Sequence, residues 1–162
     1  MRRTTAFIVM ALLIIIACCY IFPIPVSAQD NTPATVERLL GQSGYNYVKK
    51  TNNVWYIDFH GKNLPQYKVI ITTGQDLVVI FVTVIEKRNF TASTEAQQRL
   101  LKLSYEMDRV KVGLDRDDDI FVRVDLSPRI LDIQELKENI EQVASSADAT
   151  YKAMMPFLTT AR

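Results

Sequence analysis

Leu77-Val78-Val79-Ile80-Phe81-Val82-Thr83-Val84-Ile85 holds a single polar side chain in nine residues. The run is rich in β-branched and aromatic residues and follows the turn residues Gly74-Gln75-Asp76, which predicts a strand and not a short helix. Because it is apolar at both parities, the strand is expected to be covered on both faces. Upstream the period is also two. Tyr45 to Val48, a turn at Asn52-Asn53 and Val54 to His60 make a hairpin in which Trp55, Ile57 and Phe59 share a face. Gly61 to Pro65 breaks the pattern and Tyr67 to Thr73 resumes it. Downstream, Arg109 to Leu114 and Ile120 to Leu126 form a second pair across the acidic turn Asp115-Arg116-Asp117-Asp118-Asp119.

Three stretches change to helical spacing. Asn31-Thr32-Pro33 opens the first, with Val36, Leu39 and Leu40 on one face and Gly41 and Gly44 at its end. Ser93 or Thr94 caps the second, with Gln97 placed for a capping box and Leu100, Leu101, Ser104 and Met107 along its stripe. Asp132-x-x-Glu135 opens the third, where Ile133, Leu136, Ile140, Val143, Ala147 and Tyr151 recur toward Pro156. The order α-β-β-β-β-α-β-β-α predicts an α+β fold, an antiparallel sheet with three helices packed on it.

The amino terminus carries a different signal. Arg2 and Arg3 precede an apolar run from Ala6 to Ile24 that ends in Pro25-Val26-Ser27-Ala28, the pattern of a secretory signal peptide over residues 1–28, cut between Ala28 and Gln29. The expected location is therefore outside the cytoplasm, periplasmic or secreted. Ile15-Ile16-Ala17-Cys18 also fits a lipoprotein box, and the run approaches the roughly 20 apolar residues that cross a bilayer, so lipidation at Cys18 or an uncleaved anchor stands as the alternative. Residues 29–162 form one domain of ordinary size. Both cysteines, Cys18 and Cys19, lie in the leader, which leaves none for a disulfide or a thiolate site. Of 19 basic and 18 acidic residues the leader removes two arginines, for a net charge of −1. That balance gives no electrostatic footprint for nucleic acid.

The constellations that carry chemistry are sparse. Asp115, Asp117 and Asp119 copy the first ligand positions of a calcium loop, but Ile120 stands where glycine is required and Leu126 where glutamate closes the site. His60 is the only histidine and shares a strand parity with Asp58, the one pair from which a small hydrolase or ligand-binding enzyme is imaginable. Gly41-Gln42-Ser43-Gly44 follows a helix and not the strand that a nucleophile elbow needs. Asn89-Phe90-Thr91 matches a short glycosylation sequon. No cofactor or metal site is expected, and no catalytic residue is assigned.

The second face of the sheet is more informative. Tyr56, Ile70, Ile80, Val82 and Phe121 are expected to point away from Trp55, Ile57, Val79, Phe81 and Val122, leaving an apolar surface that the loop Gly61 to Pro65, a helix or a partner must cover. On this reading a charge at Val82 abolishes binding and spares the fold.

Over Glu95 to Ala149 the chain resembles the YbjN-type family, whose fold is similar to that of type III secretion chaperones. The residues that carry the likeness are Leu100-Leu101-Lys102-Leu103-Ser104-Tyr105-Glu106, Val112-Gly113-Leu114-Asp115, Ile120-Phe121-Val122-Arg123-Val124-Asp125-Leu126 and Glu141-Gln142-Val143-Ala144. The resemblance implies three helices on an antiparallel sheet, no established catalytic residues, and homodimers that hold extended client segments. It departs from the secretion chaperones in carrying an export signal. The expectation from sequence is thus a non-enzymatic, exported, chaperone-like module that binds a protein or peptide through an apolar sheet face.

Overall fold

The computed structural model describes residues 32–74 and 76–159; the leader, with Cys18 and the Ala28–Gln29 cut, lies outside them. Helix α1 spans Thr32–Ser43, followed by strands β1 (Tyr47–Thr51), β2 (Val54–Phe59), β3 (Tyr67–Thr73) and β4 (Val78–Ile85). Helix α2 (Thr94–Glu106), strands β5 (Lys111–Leu114) and β6 (Ile120–Leu126) and helix α3 (Ile133–Met154) complete the order expected from sequence. The strands form one six-stranded antiparallel sheet, β1-β2-β3-β4-β6-β5.

The helix ends follow their local chemistry. The Ser93 hydroxyl accepts from the Ala96 N–H at 3.2 Å, and the Asp132 carboxylate accepts from the Glu135 N–H at 2.7 Å, each satisfying an orphan donor of a first turn. α1 runs through Gly41 to Ser43 and stops where Gly44 enters the left-handed region at φ 84°. The Ser43 hydroxyl donates to the Leu40 carbonyl and accepts from the Tyr45 N–H, so it serves the helix end. β5 begins at Lys111, two residues later than the pattern suggests, because Arg109 sits at φ 66° and interrupts the extended run.

All three helices feed one core. α3 lays Leu136, Ile140, Val143 and Ala147 against β4 and β6, where Val78, Ile80, Val82, Val122 and Val124 meet them. α1 packs on α3, and α2 packs beside β5 and α3 through Ala96, Leu100 and Leu103. Leu101, expected in that stripe, is 72% exposed, since the buried face turns through Leu103 instead. Tyr67 carries its hydroxyl through the core to donate to the Ala144 carbonyl at 3.0 Å.

The β2–β3 loop is held down by a single carboxylate. Asp148 of α3 accepts from the Asn63 and Leu64 N–H groups at 2.7 and 2.8 Å and from the Asn63 amide at 2.6 Å. Gly61 completes the turn, with its N–H donating to the Leu64 carbonyl at 3.0 Å. A Cβ there would stand 2.2 Å from Asp148 Oδ1, so only glycine lets the carboxylate reach both amides. The loop is therefore fastened to the helix layer and does not fold over the other face of the sheet.

Two irregularities shape that sheet. β1 and β2 slip register between Lys49 and Thr51, and every residue of β1 after Tyr47 is exposed. β3 and β4 pair only from Ile70–Thr73 to Val78–Phe81. Below that point Tyr67–Val69 are laddered to β2 and Val82–Ile85 to β6, and no ladder joins them to each other. The sheet forks.

Candidate functional site

Residues opposite each other in an antiparallel ladder share a face, so the register defines the side that the helices leave open. One row runs Val48, Tyr56, Ile70, Phe81, Arg123, Lys111. The flanking rows are Val54, Thr72, Val79, Asp125 on one side and Thr83, Phe121, Gly113 on the other. Tyr56, Ile70, Val79, Phe81 and Phe121 are half-buried there, and among the described residues no helix lies over them. The expectation that β4 is covered on both sides is corrected accordingly.

Ile80 and Val82 do not belong to this face. Both are 0% exposed and point into the helix-covered core, and Val79 and Phe81 take the places assigned to them. The error is a slip of one residue on β4, where Val78, Val79, Ile80, Phe81 and Val82 are all apolar and hydrophobicity carries no parity. Pairing restores it: Ile70 faces Phe81, so those two must share a side. Tyr56, Ile70 and Phe121 stand on the open face as expected.

At the β5–β6 end the face deepens into a groove of about 640 Å3, with Val79, Phe81 and Phe121 at its floor and Leu114, Asp115, Arg116 and Arg123 at its rim. Asp125 sits between two cations, 2.6 Å from Lys111 and 2.7 Å from Arg123. Partial burial pushes its carboxyl up, but the two cations and their hydrogen bonds outweigh this and hold it below the usual carboxylate range. Farther along, Lys68 pairs with Asp58, and the Lys50 ammonium lies 5.4 Å from the centre of the Tyr56 ring. The fork opens a second cleft of about 490 Å3, bordered by Lys68, Ile70, Thr83, Ile85, Tyr151 and Leu158. Thr83 lines both depressions, which adjoin there.

The chemical alternatives are not assembled. His60 is exposed beyond the end of β2, Asp58 is engaged by Lys68, and no hydrogen bond joins the two among the described residues. In the acidic turn, Asp115 Oδ1 accepts from the Asp117 and Asp119 N–H groups at 2.9 and 3.0 Å. Asp119 accepts from the Lys87 N–H at 2.7 Å, and Asp118 pairs with the Lys87 ammonium. These carboxylates shape a hairpin, and no group of three or more His, Cys, Asp or Glu side chains is gathered for a metal ion among the described residues. Asn89 of the sequon lies in a 3-10 turn and its carbonyl accepts from the Thr159 N–H. Arg116, Val79 and Phe81 are the residues that sequence reasoning missed; strand pairing, worked out from Ile70 and Phe121 outward, was the signal that would have found the last two.

No family model matches the chain. No curated protein matches it either. Solved structures do. The fold is similar to that of YbjN from E. coli, with a TM-score of 0.56 at 14% identity over 78% of this chain and 94% of that one. It is similar to a chain of the heterodimeric ExoU–SpcU complex of the Pseudomonas aeruginosa type III secretion system, with a TM-score of 0.54 at 10% identity, covering 75% and 98% of the two chains. A chain of the ExsC–ExsE complex matches with a TM-score of 0.55 at 9% identity, over 75% and 95%. At these identities the likeness is one of fold: three helices on an antiparallel sheet, as in type III secretion chaperones. The family resemblance read from the sequence is met at that level.

Proposed function

We propose that this chain is a non-enzymatic, exported, chaperone-like module that binds an extended segment of another protein across the open face of its sheet. The observation that carries this is the patch of Tyr56, Ile70, Phe81 and Phe121, apolar side chains on neighbouring rows over which no helix lies among the described residues. Aromatic anchors in a desolvated groove supply much of the affinity of such contacts. Two of the similar structures named above are complexes with a second protein, which favours a protein partner over a small substrate. Export rests on the leader pattern from Arg2 to Ala28. Self-association into a homodimer is a further part of the reading, and light scattering over a concentration series tests it.

The decisive experiment measures binding of an array of extended peptides to the purified chain and to Phe81→Ser and Phe121→Ser variants. Both positions are half-exposed, so the variants are expected to keep the wild-type circular dichroism while losing binding. Peptides held equally well by the variants and the wild type would sink the proposal.

A further inference from the structure

Resting on that reading, we infer that the segment held by the open face passes into the fork between β3 and β4 and pairs its main chain there, as an added strand, with Lys68 and Thr83. The two sides of β3 bond by turns. The Thr73 N–H donates to the Asn53 carbonyl at 3.0 Å on the β2 side, and the Gly74 N–H to the Leu77 carbonyl at 2.8 Å on the β4 side. Hydrogen-bonded pairs recur at every second residue of an antiparallel ladder, so Thr72 bonds with Val79 and Ile70 with Phe81. Lys68 and Thr83 are next in that series. The ladder stops before them, so the N–H and C=O of each face the fork and not a neighbouring strand. Main-chain groups of this kind are a template for an extended chain, which carries matching acceptors and donors at the same spacing.

The rest of the fold fixes the fork open. Leu158 is bridged to Phe90, the Thr91 N–H donates to the Phe157 carbonyl at 2.8 Å, and the Thr159 N–H donates to the Asn89 carbonyl at 2.8 Å. Leu158 and Thr159 therefore border the cleft and do not join β3 to β4. Charge offers little selection there, because Lys68 is paired with Asp58 and Glu86 with Arg88. Selection comes from the alternation of a strand. One parity of the added segment points toward the helix layer, where Leu64, Tyr151 and Leu158 line the cleft, and the other toward the open face. The segment is thus apolar at every second residue and tolerant between them. About 490 Å3 admits such a short stretch and not a globular surface. Thr83 also lines the groove of the open face, so a segment leaving the fork continues over Phe81 and Phe121.

The test uses a fluorescein-labelled nonapeptide of alternating Val and Thr and two analogues, one N-methylated at its Val amides and the other at its Thr amides, in anisotropy titrations against the full chain. Alternate amides face opposite edges of a strand, so at least one analogue is expected to bind roughly tenfold more weakly than the parent. Amide exchange followed by NMR should be fast at Lys68 and Thr83 in the free chain and slow once the parent peptide is bound. Equal binding of all three peptides that is still lost in Phe81→Ser overturns the main-chain pairing and leaves the binding face standing. Binding of none of them overturns both. Slow exchange at Lys68 and Thr83 in the free chain overturns the open edge, and its loss in a chain ending at Thr159 would assign the fork to the chain's own last residues.

Discussion

Phe81 and Val82 are adjacent in sequence and lie on opposite faces of β4, so the same substitution at each separates the open face from the core. Val82 is wholly buried between α3 and the sheet. Val82→Asp gives up about 1.5–3 kcal/mol of apolar burial and places a carboxyl where no donor is at hand, at a further cost of about 1–3 kcal/mol or more. The sum, on the order of 2.5–6 kcal/mol, consumes much of the ~5–15 kcal/mol that holds a domain of this size together. Phe81 is half-buried, and its cross-strand partner is Arg123. Phe81→Asp loses about 1 kcal/mol of burial and recovers a few tenths from the facing guanidinium. Urea unfolding followed by circular dichroism should therefore show Phe81→Asp within about 1 M of the wild-type midpoint and Val82→Asp lower by about 2 M or unfolded outright. A folded Val82→Asp with a near-normal midpoint, beside a collapsed Phe81→Asp, would mean that the face assignment is inverted and that the groove described here does not exist.

Gly61→Ala is expected to displace Asp148 from the β2–β3 loop and to lower stability by about 1–3 kcal/mol through the loss of charge-assisted hydrogen bonds; faster amide exchange at Asn63 and Leu64 is the specific readout. Asp148 also sets an acid limit. Burial pushes its carboxyl up, but the Leu64 and Asn63 hydrogen bonds and nearby Lys152 outweigh this and hold it below its ordinary 3.8. A carboxyl depressed in the folded state stabilises fully above its unfolded value and loses that contribution as pH falls through the lower folded value. The urea midpoint should hold steady above about pH 5 and fall below about pH 4, and Asp148→Asn should flatten that part of the profile. Thr73 is buried with its hydroxyl unpaired, so Thr73→Val should raise stability by about 1 kcal/mol, measured as a higher melting temperature. His60→Ala should leave stability and peptide binding unchanged, because the imidazole is exposed and outside the groove.

How much of this was legible in the chain depended on whether neighbouring positions differ in polarity. In β6, Ile120, Val122, Val124 and Leu126 alternate with Arg123 and Asp125, and the parity read from the sequence is the parity found. In β2, Trp55 and Ile57 are separated by Tyr56 and followed by Asp58, with the same outcome. β4 offers no such contrast, and its faces are fixed only by where β3 and β6 place their bonds. The caps at Ser93 and Asp132 were readable because each rests on a local hydrogen bond. The Asp148 contact with Asn63 spans 85 positions, and nothing in either neighbourhood announces it. Arg116 went unread for another reason: it stands inside an acidic turn, and its position at the groove rim appears only once β5 and β6 are paired.

The exposed first strand has a consequence for the company the molecule keeps. An unpaired strand edge is a template on which another copy can grow a longer sheet. β1 resists this: Lys49 and Lys50 place two charges in its middle, one tied to Glu37 and the other lying over Tyr56, and the slipped register breaks the line of donors and acceptors beside them. At the far edge β5 is only four residues long, with Gly113 among them. Neither border lends itself to fibre growth by edge pairing. Under the proposed function, a sheet that offers its face to another protein gains from margins that do not stick to itself.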